Sequence, residues 1–138
     1  MQDFGYCIWL VPEEDKWDLP WTAGFETHIT IYKSLSYFDA IRLFLSLSYK
    51  TIVIERVAEY NQTNVNGFYA LEYPVVYSKT NKESPPIWWP KNPHISVKYK
   101  YDSEITDTPI TKLSESCKFN KLIIMKCDGH FKTWTRLF

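Results

Sequence analysis

Two of the three histidines in this chain open the same four-residue pattern. His28-Ile29-Thr30-Ile31 and His94-Ile95-Ser96-Val97 both read histidine, apolar, hydroxyl, apolar. His130 is followed by Phe131 and Lys132, lacks such a tail, and is read as a structural or surface residue. In an extended strand alternate side chains share a face. Each pattern therefore shows an imidazole and a hydroxyl on one side and offers aliphatic side chains to a core on the other. If the two strands are neighbours, a pair of imidazoles and a pair of hydroxyls line one groove.

Such a set suits acid–base work at phosphorus. One imidazole takes a proton from the attacking oxygen and the other gives one to the leaving oxygen, which predicts a bell-shaped dependence of rate on pH. The hydroxyls donate hydrogen bonds to the non-bridging oxygens as charge builds there. His28 and His94 are thus the candidate catalytic pair, and Thr30 and Ser96 the candidate phosphate ligands. The scheme calls for no metal and no cofactor, and neither histidine has the neighbours in sequence that a zinc site needs. Strict alternation adds Tyr32 to the His28 face and Lys98 to the His94 face. Tyr32 could stack a base or merely form the rim, and Lys98 could reach phosphate or be a solvated strand lysine. Trp88 and Trp89 stand just before the second motif, in a loop of prolines and lysines. One of them is expected to lie over a base and the other to pin the loop to the core. Trp17 and Trp21, in the segment feeding the first motif, are weighted toward packing.

The elements that must hold these residues follow from pattern and punctuation. Residues 4–11 are an apolar run closed by Pro12 and an acidic cluster, and read as a buried strand. Residues 16–25 have no period and read as loop, and residues 27–33 (THITIYK) as a strand. Ser36 with Asp39 three residues on is a helix-start signature, and Phe38, Ile41, Phe44 and Leu45 follow at helical spacing, predicting one clear helix over 37–48. Residues 51–59 and 68–77 return to strand composition around the turn-forming Asn64–Gly67 stretch, with Pro74 marking an edge or a break. Residues 78–93 are the longest loop and 94–101 (HISVKYKY) the second motif strand. Segments 122–127 and 131–137 read as a hairpin about a two-residue Asp128-Gly129 turn. The fold class is α+β and strand-rich, in one domain over residues 1–138.

The paired motifs and this element order resemble the 2H phosphoesterase superfamily, which is defined by two His-x-Ser/Thr motifs, each on a strand. The resemblance runs over most of the chain. It implies a two-lobed, pseudo-twofold α+β fold with a central groove, acting without metal. It also implies His28 and His94 as the acid–base pair, with Thr30 and Ser96 binding phosphate. The implied substrates are phosphodiesters that involve a ribose 2′-oxygen, either 2′,3′-cyclic phosphates or 2′-5′ linkages, in RNA ends, nucleotides or short oligonucleotides.

Composition sets the outer bounds. The chain has 138 residues, of which 45% are hydrophobic and 23% charged, enough apolar material to fill a core and too much for a disordered chain. Sixteen basic side chains cancel sixteen acidic ones, which argues against a protein living on bulk phosphate contacts and favours a short substrate. Three cysteines without a close-spaced pair read as thiols in a reducing compartment. The apolar run at 6–11 has no basic stretch before it and is too short to span a bilayer, so the expectation is a cytoplasmic protein with no membrane and no obligate protein partner. Two other functions compete with the phosphodiesterase. One is a viral nuclease destroying host 2′-5′ oligoadenylate or cyclic oligonucleotide signals; the other is a non-catalytic module that binds nucleotides or RNA ends.

Overall fold

The alternating segments become strands that close on themselves. The structure, a computed structural model, describes residues 3–12, 27–47, 51–56, 61–65, 68–101, 104–106, 116–129 and 133–137. Its elements are β1 (Asp3–Pro12), β2 (Ile29–Leu35), α1 (Tyr37–Ser46), β3 (Ile52–Arg56), β4 (Asn61–Val65), β5 (Phe68–Tyr77), β6 (His94–Tyr101), β7 (Ser116–Asp128) and β8 (Thr135–Arg136). Neighbours run β1-β2-β6-β5-β3-β7, and β7 pairs back onto β1, so six antiparallel strands form a ring. β4 extends β5 and β8 extends β7 outside it. Among the described residues the chain is therefore strand-rich with one helix.

Every strand of the ring sends aliphatic or aromatic side chains into one cluster, built from residues such as Ile8, Ile29, Ile54, Tyr73, Ile95 and Phe119. A cluster fed by all six strands occupies the enclosed face. The isoleucines of both motifs, Ile29 and Ile95, are essentially fully buried there. A smaller cluster, Cys7, Trp9, Val11, Ile123, Met125 and Cys127 with Trp134 against it, covers the opposite face of β1 and β7. Helix α1 starts as its sequence predicts: the Ser36 hydroxyl accepts from the Asp39 amide at 3.2 Å, and buried Ala40 lets the helix approach the larger cluster.

Two expectations are revised, and the choice of edge or break at Pro74 is resolved in favour of an edge. β5 does not break at Pro74, because β4 leaves that edge after Glu72 and β3 joins it only at Val75, so the missing N–H falls between partners. Of the 64–67 stretch read as turn, Asn64 and Val65 belong to the edge strand β4 (Asn61–Val65), whose Val65 pairs with Phe68. The closing hairpin pairs Lys126 with Thr135, so its connection is longer than two residues. Trp134 occupies part of it, donating to the Gly129 carbonyl at 3.2 Å. The long 78–93 loop is held firmly at both ends. Asn81 returns a strand-like pair of bonds to Val53, accepting from its N–H at 2.8 Å and donating to its C=O, while Val75 N–H donates to the Pro93 carbonyl at 3.1 Å.

Candidate active site

β2 and β6 meet at Ile29 opposite Ile95. Continuing that antiparallel register by one residue sets His28 beside Ser96 and Thr30 beside His94, all four on the face away from the larger core. His28 and His94 are then diagonal neighbours, a relation that separates Cβ atoms by about 7–8 Å. The arrangement repeats outward on both sides. Trp9 of β1 stands opposite Thr30, and Glu72 of β5 stands opposite Ser96.

Immediately after each hydroxyl the strand carries one extra residue. Trp9 pairs with Thr30 but Ile8 with Tyr32, which makes Ile31 a β-bulge; Glu72 pairs with Ser96 but Leu71 with Lys98, which makes Val97 another. A bulge changes which residues share a face. Tyr32, expected beside His28, instead packs against the larger core with Ile8. Lys98, expected beside Ser96, stands opposite core residue Leu71 in the register, and its side chain lies outside the described residues. The residues delivered to the histidine face are Lys33 and Tyr99, each three positions beyond its motif hydroxyl. The positive charge of Lys33 acts on both Cys7 and Glu72, and Tyr99 engages the Ser96 hydroxyl. Burial pushes the Tyr99 phenol well above its ordinary range, with the Ser96 bond working against that rise.

The two imidazoles have different surroundings. His28 is 3% exposed and lies flat on the Trp9 indole, ring centroids 3.4 Å apart and planes within 7°. His94 is more open. Its Nδ1 lies 2.9 Å from the Asn92 carbonyl oxygen, and its Nε2 lies 3.1 Å from Glu72 Oε2. A carbonyl oxygen only accepts, so Nδ1 carries a proton, and the Nε2–Oε2 contact holds a second proton shared with the carboxyl. Removal from water raises the Glu72 carboxyl above its usual range, and the positive charges of His94 and Lys33 offset only part of that rise.

Comparison with protein-family models, curated proteins and solved structures gives no match. Function must therefore be argued from the site.

An open cleft of about 630 Å³ adjoins His94, its walls including Glu72, Pro74, Val76, Tyr77 and Trp89. Both tryptophans pack on the larger core, Trp88 within it and half-buried Trp89 against it. Trp88 is 9% exposed and belongs to the larger core, whereas Trp89 meets Tyr77 edge-on at 5.4 Å and lines the cleft. His28, Thr30 and Ser96 do not line it. Trp17, Trp21, the Glu13–Lys16 charge cluster and His130 lie outside the described residues. Among the described residues no three His, Cys, Asp or Glu side chains converge as a metal set, and no helix is long and apolar enough to cross a membrane. Buried Cys7 and Cys127 are free thiols in contact; Cys127 is held upward first by its bond to Cys7 and then by burial.

The raised Glu72 carboxyl makes a prediction about stability. It holds its proton more tightly in the folded chain than in the unfolded one. Its stabilising contribution is therefore complete below the unfolded value near 4.5 and is lost as pH climbs through the higher folded value. Glu72→Gln removes that loss. The melting temperature of the variant should gain on the wild type as pH rises from about 4 to 7, and a gap that stays constant over that range would refute the assignment.

Proposed function

We propose that this protein is a metal-independent phosphodiesterase of the two-histidine kind, acting on a phosphodiester that involves a ribose 2′-oxygen in a nucleotide, a short oligonucleotide or an RNA end. The reading rests on the Ile29–Ile95 pairing, because that one register brings both His-x-hydroxyl motifs to a common face. In this mechanism His28 and His94 exchange protons with the attacking and leaving oxygens. Thr30 and Ser96 donate to the non-bridging oxygens. Lys33 adds the positive charge first sought in Lys98. We assign the chain to the 2H phosphoesterases by resemblance, on its two His-x-hydroxyl motifs. The absence of a basic excess fits a short substrate in the cytoplasm.

The test is a substrate panel in EDTA: 2′,3′-cyclic mononucleotides, 2′-5′ oligoadenylate and 3′-5′ cyclic dinucleotides. Wild type should turn over at least one member, and the His28→Ala/His94→Ala double variant none. Lys33→Ala should lower kcat/KM roughly tenfold on the same substrate, with the deficit shrinking as salt rises. A wild type inert on every member would refute the reading. One observation favours a second reading, a nucleotide or RNA-end binding module: His28 is buried under an indole. That protein would bind panel members tightly and leave them intact.

A further inference from the structure

A cleft adjoins the site at His94. It is about 630 Å³, within the range of clefts that enclose a nucleotide-sized molecule. Trp89 supplies an aromatic wall, held edge-on by Tyr77, and Val76, 47% exposed on β5, faces the same space. Lys91 and Asn92 stand on the loop side and Asn61 on the β4 side, so a cation and two amides join the aromatic and aliphatic walls. Glu72 and His94, 3.1 Å apart, line the cleft as well. The slot is built to last: Trp88 anchors the loop in the core next to Trp89, the Trp89 N–H donates to the Pro86 carbonyl at 2.9 Å, and Pro93 is bonded to β5. A flat, π-faced ligand with polar edges matches an aromatic wall flanked by amides, and an attached ribose phosphate would reach the histidine face.

We propose that this cleft is a nucleoside subsite in which the base stacks on Trp89 and the ribose is presented to His94. The proposal rests on the phosphodiesterase reading for the identity of the reacting group, but the subsite has its own readout. Indole stacking on a base is worth enough that its removal weakens binding about tenfold or more.

The experiment measures binding of adenosine 2′-monophosphate, adenosine and inorganic phosphate to the full chain by calorimetry. The proteins are wild type, Trp89→Leu and Val76→Trp; the last substitutes an exposed position and fills the slot without emptying the core. Both variants should bind the nucleotide and adenosine at least tenfold more weakly, with phosphate affinity unchanged. Each should also raise KM with kcat nearly intact on whichever panel substrate is turned over. Nucleotide affinity indifferent to both substitutions, or no binding of the nucleotide to wild type, would overturn the subsite. Binding that depends on Trp89 in a protein that turns over nothing would uphold the subsite while the phosphodiesterase reading fails. Turnover that ignores both substitutions would do the reverse.

Discussion

His94→Ala should lose roughly 10²- to 10⁴-fold in turnover of a ribose phosphodiester yet less than about tenfold on a 4-nitrophenyl phosphodiester. The reasoning starts from the unequal histidines. If the nucleoside occupies the cleft as proposed, the ribose ester oxygen that departs lies on the His94 side. An alkoxide leaves poorly unless it is protonated as the P–O bond breaks. His94 can supply that proton from Nε2, because its Nδ1–H is fixed on the Asn92 carbonyl and the Glu72 carboxyl shares the proton at Nε2. A 4-nitrophenolate leaves without such help, so the aryl ester bypasses the acid. In the proposed mechanism His28 takes the proton of the attacking water. His28→Ala should therefore lose activity on both substrates to similar degree. Equal losses for the two variants on both esters would show that the roles are not divided in this way. Glu72 acts through His94, so Glu72→Gln should follow the His94 pattern in weaker form, sparing the aryl ester.

The motif strands were readable in the sequence because alternation there is strict: Ile29 and Ile95 demand a core, which turns His28 and His94 to the other face. What lay beyond one residue after each motif was not readable. A bulge at Ile31 or Val97 leaves no signature when the extra residue is itself β-branched and apolar, as strand residues commonly are. The phase error then carried Tyr32 onto the wrong face, left Lys98 opposite core residue Leu71 in the register, and hid Lys33 and Tyr99. Glu72 was invisible for a different reason. It lies 22 positions before His94, and only the β5–β6 register brings the two together. Strand β4 escaped because an edge strand of Asn, Gln and Thr has no apolar face to show a period. Helix α1, by contrast, was legible to within two residues, since its cap and its spacing are both local.

Trp9→Ala should cost about 3–5 kcal/mol of folding free energy, a third or more of what a domain of this size typically has. Trp9 is 1% exposed at the centre of the smaller cluster, touching Trp134 edge-on at 6.0 Å and carrying His28 flat on its face. Removing the indole empties a space that neither β1 nor β7 can close, since the two are locked by pairing over most of β1. The melting temperature should fall by roughly 10–20 °C. Trp9→Phe keeps an aromatic surface under the imidazole and should cost less than half as much. Activity separates packing from positioning. If the indole also orients His28, Trp9→Phe measured well below its melting temperature should lose turnover on the ribose and aryl esters alike, in the manner of a His28 defect. A double-mutant cycle between Trp9→Phe and His28→Ala should then give a coupling of about 0.5–1.5 kcal/mol in stability and a larger one in rate. A Trp9→Ala protein within 1 kcal/mol of wild type would mean that the indole is not packed as described. The support it gives to His28 would fall with it.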